Sequence, residues 1–83
     1  MTFRPAHQKL GEYLRDLRRS EGLKQSDLAL FLGKPQSYIS KYETAERRLD
    51  IFELITICRG LKKDPCLILE DIVKQMDVWT RGI

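Results

Sequence analysis

The sequence predicts an all-α domain of five helices, and three observations carry that reading. Apolar residues recur at i, i+3, i+4 and i+7 along most of the chain. Capping and helix-breaking residues interrupt that pattern at short intervals. No segment alternates strictly enough, or is rich enough in β-branched residues, to read as a strand. The 83 residues make one domain, 1–83, which buries only about 60–65% of the surface its unfolded chain exposes.

The first helix starts near Pro5, a favoured first-turn residue, and runs to about Ser20. Leu10, Tyr13, Leu14 and Leu17 form its apolar face, and Gly22 stops it. The second covers roughly Gln25 to Leu32, with Leu28, Phe31 and Leu32 expected inward and Ala29 allowing close approach. Asp27 suits its positive end, and Gly33 ends it. The third begins around Gln36, after Pro35, and reaches about Thr44, with Ile39 and Tyr42 inward. The fourth is announced by Asp50 and Glu53, a capping-box-like pair. Its expected buried face is Ile51, Leu54, Ile55, Cys58 and Leu61, and Gly60 closes it. The fifth opens with Asp64-Pro65 and continues through Leu67, Ile68, Leu69, Ile72, Val73 and Met76. Residues 77–83, with Trp79, are expected to be a short tail.

Helices two and three are too short to be stable alone, because isolated helices below about 12–15 residues are marginal in water. They need packing against the other three. A Gly-containing turn, Gly33-Lys34-Pro35, joins them, and two short helices across such a turn are the helix-turn-helix signature.

Composition narrows the function classes. With 42% hydrophobic and 33% charged residues, the chain is globular rather than disordered. Its apolar runs, such as Leu28 to Leu32 and Cys66 to Leu69, fall far short of the about 20 residues a membrane span needs. No signal-peptide pattern opens the sequence, so the cytoplasm is the expected location. Cys58 and Cys66 make neither a disulfide framework nor a metal signature. His7, the one histidine, is expected in solvent. No Ser–His–Asp set, glycine-rich phosphate loop or convergent acid pair is available, so no enzyme, cofactor or metal is expected. Residues 1–48 carry ten Lys/Arg and six Asp/Glu, and residues 49–83 carry five and six. This asymmetry suits a polyanion-binding face in the first half, although a mixed solvated surface explains charge alone equally well.

A helical wheel of the third helix divides its residues. With Ile39 in the core, Ser37 and Lys41 lie almost opposite, Tyr38 and Ser40 flank it, and Gln36 sits at the N-terminal end. On the wheel alone, a solvated face is the better explanation. The motif changes that. The stretch Leu23-Lys24-Gln25-Ser26-Asp27-Leu28-Ala29, followed by Leu32-Gly33-Lys34-Pro35-Gln36-Ser37-Tyr38-Ile39-Ser40-Lys41-Tyr42-Glu43, resembles the Xre/Cro-type, lambda-repressor-like DNA-binding domain. Leu14-Arg15-Asp16-Leu17-Arg18, Arg47-Arg48, Asp50 and Asp64-Pro65 also fit, so the resemblance spans about residues 8–70, with the motif at 25–44. There are departures. Lys24 and Pro35 stand where the family usually has a small capping residue. Thr44-Ala45 stands where many members have a Gly.

The resemblance implies a sequence-specific regulator of transcription that binds double-stranded DNA. Helix three reads the major groove, as a homodimer on a pseudo-palindrome, and the regulator acts as a repressor or autoregulator. Gln36, Ser37, Tyr38 and Lys41 are the expected base-contacting residues. Gln25, Lys34, Ser40, Arg47 and Arg48 are the expected backbone-contacting ones, and Gln25 also braces Gln36. Arg18 and Glu43 edge toward apolar faces, and the resemblance implies a partly buried bridge between them. Ile68, Ile72, Met76 and Trp79, at the helix end and tail of 71–83 and just before it, are candidates for a dimer contact. The alternative expectation is an antitoxin or adaptor whose cognate protein partner binds the same apolar surface.

Overall fold

Where each helix stops decides this architecture, because one left-handed residue turns the chain back after four of the five. The computed structural model describes residues 4–80. Its helices are α1 (Arg4–Ser20), α2 (Gln25–Leu32), α3 (Gln36–Glu43), α4 (Ile51–Gly60) and α5 (Pro65–Trp79). After α1 and α2 the left-handed residues are Gly22 and Gly33, at φ 71° and 66°. After α3 and α4 they are Ala45 and Lys62, at φ 63° and 60°, where a side chain is unfavourable. Each reversal closes with the paired backbone bonds of a Schellman motif, such as Glu46 N–H to the Lys41 carbonyl at 2.9 Å and Ala45 N–H to that of Tyr42 at 3.3 Å.

The helix starts follow the sequence closely. Asp50 accepts from Glu53 N–H at 2.8 Å while Glu53 accepts from Asp50 N–H at 2.9 Å, a complete capping box. Asp64 caps α5 by accepting from Cys66 N–H at 2.9 Å. Lys24 and Pro35 give no side-chain cap, but Asp27 reaches back to Lys24 N–H at 2.8 Å and satisfies one end donor of α2.

Leu14, Leu28, Ala29, Ile39, Tyr42, Ile57 and Leu61 form one core cluster. α3 packs on α1 and α2, and α5 closes the bundle against α1 and α4. Gly11 lets α1 touch the end of α3: a Cβ there would lie 2.6 Å from the carbonyl oxygens of Tyr42 and Glu43.

Four expectations about the packing need correcting. Phe31 is 66% exposed, because Leu28 and Ala29 take the inner face of α2. Ile51, in the first turn of α4, is half-exposed, and Ile57 takes the core position instead. Helix α3 stops at Glu43, one residue before Thr44. Helix α5 does not end near Met76 with a tail; it runs to Trp79, whose ring meets Tyr13 edge-on at 5.7 Å. Tyr13 also donates to Asp71 at 2.6 Å, so α1 holds the far end of α5 in place. Of the expected tail, residues 81–83 lie outside the described residues. Among the described residues, no helix is long and apolar enough to cross a membrane.

Candidate nucleic-acid interface

The outer face of α3 is polar and open. Ile39 is fully buried and fixes the helix rotation, which leaves Gln36, Ser37 and Lys41 exposed on the far side and Ser40 half-buried. Two networks hold this face from behind.

The first runs from the surface into the core. Gln36 Nε2 donates to Gln25 Oε1 at 3.2 Å, and Gln25 Nε2 donates to Glu43 Oε1 at 3.0 Å. The order is forced, because an ionised carboxylate only accepts, so Gln25 turns its NH2 inward and its oxygen toward Gln36. Glu43 also receives Arg18 Nε at 2.7 Å and Arg18 Nη2 at 3.1 Å, while Arg18 Nη1 donates to the Leu23 carbonyl at 2.7 Å. Both side chains of this pair are almost completely buried. The hydrogen bond to Glu43 raises the Arg18 pKa against the opposing effect of burial. The buried ion pair thus anchors α2 and α3 to α1 and sets the angle at which Gln36 leaves the surface.

The second network centres on Tyr38, which turns its hydroxyl away from the outer face to Glu53 Oε2 at 3.1 Å. Arg47 Nη2 meets the same oxygen at 2.6 Å. The Arg47 guanidinium lies over the Tyr38 ring at 4.8 Å and the Lys34 ammonium at 5.4 Å, both within cation–π range. The bond from Arg47, with that from Asp50 N–H, holds the Glu53 carboxyl down at about 2. Burial, and then the bond to Glu53, push the Tyr38 hydroxyl up, so it remains a neutral donor. Lys34, Pro35, Ser37, Tyr38, Lys41 and Arg47 line an open concavity of about 300 Å³. Arg48 is exposed, and its charge adds to the partial burial of His7 in lowering that histidine's pKa.

Glu53 was missed as a functional candidate. In the sequence its place three residues after Asp50 is fully explained by the cap. Nothing in the spacing shows that the loop folds Arg47 back onto it. The apolar candidates are also redistributed. Ile68 is only 7% exposed and belongs to the core, Ile72 is half-buried, and Trp79 spends one face on Tyr13. Met76 remains open, with Leu69 and Val73 on the same side of α5. Among the described residues, no group of His, Cys, Asp and Glu is placed to hold a metal ion.

Comparison with known proteins agrees with this geometry. The helix-turn-helix family model matches residues 14–68. An XRE-family like protein from Pseudomonas syringae pv. tomato is 41% identical, over 84% of this chain and 85% of that one, with a TM-score of 0.79. The restriction-modification controller protein C.AhdI from Aeromonas hydrophila is 30% identical, over 71% of this chain and 89% of that one, with a TM-score of 0.67. No curated protein matches the chain. The five-helix all-α fold is the lambda-repressor-like one, and the chain belongs to the Xre-type helix-turn-helix family of non-enzymatic, DNA-binding transcription regulators.

Proposed function

We propose that the protein is a sequence-specific repressor that binds double-stranded DNA in the cytoplasm as a homodimer and controls its own expression. In this reading α3 enters the major groove, and Gln36, Ser37 and Lys41 contact base edges, with the ring edge of Tyr38 beside them. Gln25, Lys34, Ser40, Arg47 and Arg48 contact the phosphate backbone. The observation that carries it is the chain from Gln36 through Gln25 to the buried Glu43–Arg18 pair. At an exposed helix start such a bond adds only modestly to stability. Pre-setting Gln36 for a bidentate bond to adenine is what the support achieves.

The dimer face that fits best is the open side of α5. Leu69, Val73 and Met76 lie at i, i+4 and i+7, and Ile51 and Cys66 continue the strip across the groove to α4. A two-fold pair would set two recognition helices about 34 Å apart, one turn of DNA.

The test is binding of the purified protein to its own upstream DNA and to random DNA of equal length, at two salt concentrations. A preference that survives higher salt is expected. Equal and steeply salt-sensitive binding to both would reduce the function to a phosphate grip. The second reading, an antitoxin or adaptor with a cognate protein partner, has its own surface. Leu30 and Phe31 are 85% and 66% exposed on α2, and Phe52, 76% exposed, borders Lys34 and Tyr38 from α4. Loss of sequence preference would favour it.

A further inference from the structure

We propose that Glu53 and Tyr38 are positioning residues for phosphate binding. They hold Arg47 as one wall of a seat, shared with Lys34, that takes a single backbone phosphate of duplex DNA. The inference rests on the DNA-binding reading of this face; it brings in Glu53, which lies outside the 25–44 motif, and gives Tyr38 a part other than base contact.

Arg47 sits in the loop between α3 and α4, where a long side chain is normally free and loses rotamer entropy when it binds. Here it is already fixed. Glu53 takes one terminal nitrogen at 2.6 Å, the Arg48 carbonyl takes the other at 3.0 Å, and the Tyr38 ring lies beneath the guanidinium. Glu53 is a rigid anchor because Asp50 N–H and the Tyr38 hydroxyl hold it as well. These bonds leave further guanidinium N–H donors free, and the side chain is 40% exposed.

The surroundings say what those donors face. Lys34, Lys41 and Arg47 line one concavity of about 300 Å³ with Ser37 between them. Three cations stand near two carboxylates, Glu53 and Asp50, and both of these are engaged by the α4 capping box. Such a hollow suits an anion with several acceptor oxygens, and a phosphodiester is the one a duplex offers.

Glu53 could act in two opposite ways. As a bare negative charge beside DNA, it would repel phosphate, and removing it would tighten binding. As the support of Arg47, its removal frees the guanidinium and weakens binding. Three bonds converging on Glu53, and the stack beneath Arg47, favour support.

The experiment measures binding of a fluorescent duplex of arbitrary sequence over a series of salt concentrations. Glu53→Gln is expected to weaken binding about three- to ten-fold, and to flatten the dependence of log K on log salt by up to about 0.9, the share of one phosphate. Arg47→Ala is expected to do the same, and the double variant to be no weaker than Arg47→Ala alone. Tyr38→Phe keeps the ring under Arg47 and removes only the bond to Glu53. It is expected to shift affinity in the same direction by a smaller factor, and it decides the matter if circular dichroism shows Glu53→Gln unfolded. Unchanged or tighter binding by Glu53→Gln, with the wild type binding normally, overturns the positioning role alone. Failure of the wild type to bind duplex at all overturns the DNA-binding reading, and the seat with it.

Discussion

Arg18 and Glu43 meet through two parallel hydrogen bonds, 2.7 and 3.1 Å long, with side chains only 7% and 2% exposed. They join α1 to the last turn of α3, and Gln25 and Gln36 extend the contact to the surface. A pair this deep is costly to desolvate and gains its value from being complete. Glu43→Ala leaves the guanidinium buried with one carbonyl partner, that of Leu23. It is expected to destabilise the domain by about 3–5 kcal/mol in urea unfolding. Replacing both partners, Arg18→Met with Glu43→Leu, should recover most of that loss, because no charge is stranded. A single variant within about 0.5 kcal/mol of the wild type would show that water reaches the pair.

Ala45 carries a second, opposite prediction. It holds the left-handed position after α3, at φ 63°, where Gly is the favoured residue. A Cβ there costs about 1–2 kcal/mol, and the greater freedom of Gly in the unfolded chain takes back part of the gain. Ala45→Gly is therefore expected to raise stability by up to about 1 kcal/mol and to leave DNA binding unchanged. A lower melting temperature would mean that the Ala45 methyl makes a packing contact worth more than the strain.

The helix boundaries were legible because local chemistry sets them. Asp50, Asp64, Gly22 and Gly33 act within their own turn, and each falls at the expected place. The far end of α5 was not legible, because what holds it is Tyr13, on another helix. In α2 the run Leu28 to Leu32 is apolar on every side, so periodicity could not tell that Phe31 faces outward. The same division holds in the candidate site. Gln25 and Gln36 were visible through the motif, whereas the Arg47–Glu53 contact depends on a loop closure that no spacing rule describes.

Tyr42 is 2% exposed, yet its hydroxyl has no hydrogen-bond partner among the described residues. Burial pushes the hydroxyl far above its usual range. An unpaired buried hydroxyl costs about 1–3 kcal/mol, and the ring supplies the packing. Tyr42→Phe is expected to melt at the same temperature as the wild type or higher. A clear loss of stability would show that a buried water satisfies the hydroxyl.

The Glu53 carboxyl, held at about 2 against an ordinary 4.5, makes stability depend on pH in a defined window. Its folded pKa is lowered, so the unfolded chain binds more protons between these values, and stability rises with pH there and is lost on acidification. The contribution is complete above 4.5 and disappears as the pH approaches 2. The gap in unfolding free energy between the wild type and Glu53→Gln should be constant above that window and close within it. A gap that stays constant to the acid limit would mean that Arg47 does not engage Glu53 in solution.

The open strip on α5 makes the last prediction. Leu69, Val73 and Met76 are 45%, 60% and 47% exposed, and the half-exposed Ile51 extends them over a groove of about 220 Å³. A stable dimer buries roughly 1,200–2,000 Å² in total, which a strip along a 15-residue helix and the edge of its neighbour can supply when repeated by a two-fold axis. Near that axis a new carboxylate meets its own symmetry mate, so Val73→Asp places two like charges at close range in an apolar contact. It is expected to yield a monomer by light scattering, with an unchanged circular dichroism spectrum because Val73 is 60% exposed. Affinity for a two-half-site duplex should fall far more than affinity for a half-site. Leu30→Asp is the matched control, at 85% exposure on α2. If Leu30→Asp separates the protomers and Val73→Asp does not, the two-fold axis lies at α2 and the α5 strip is free for another partner.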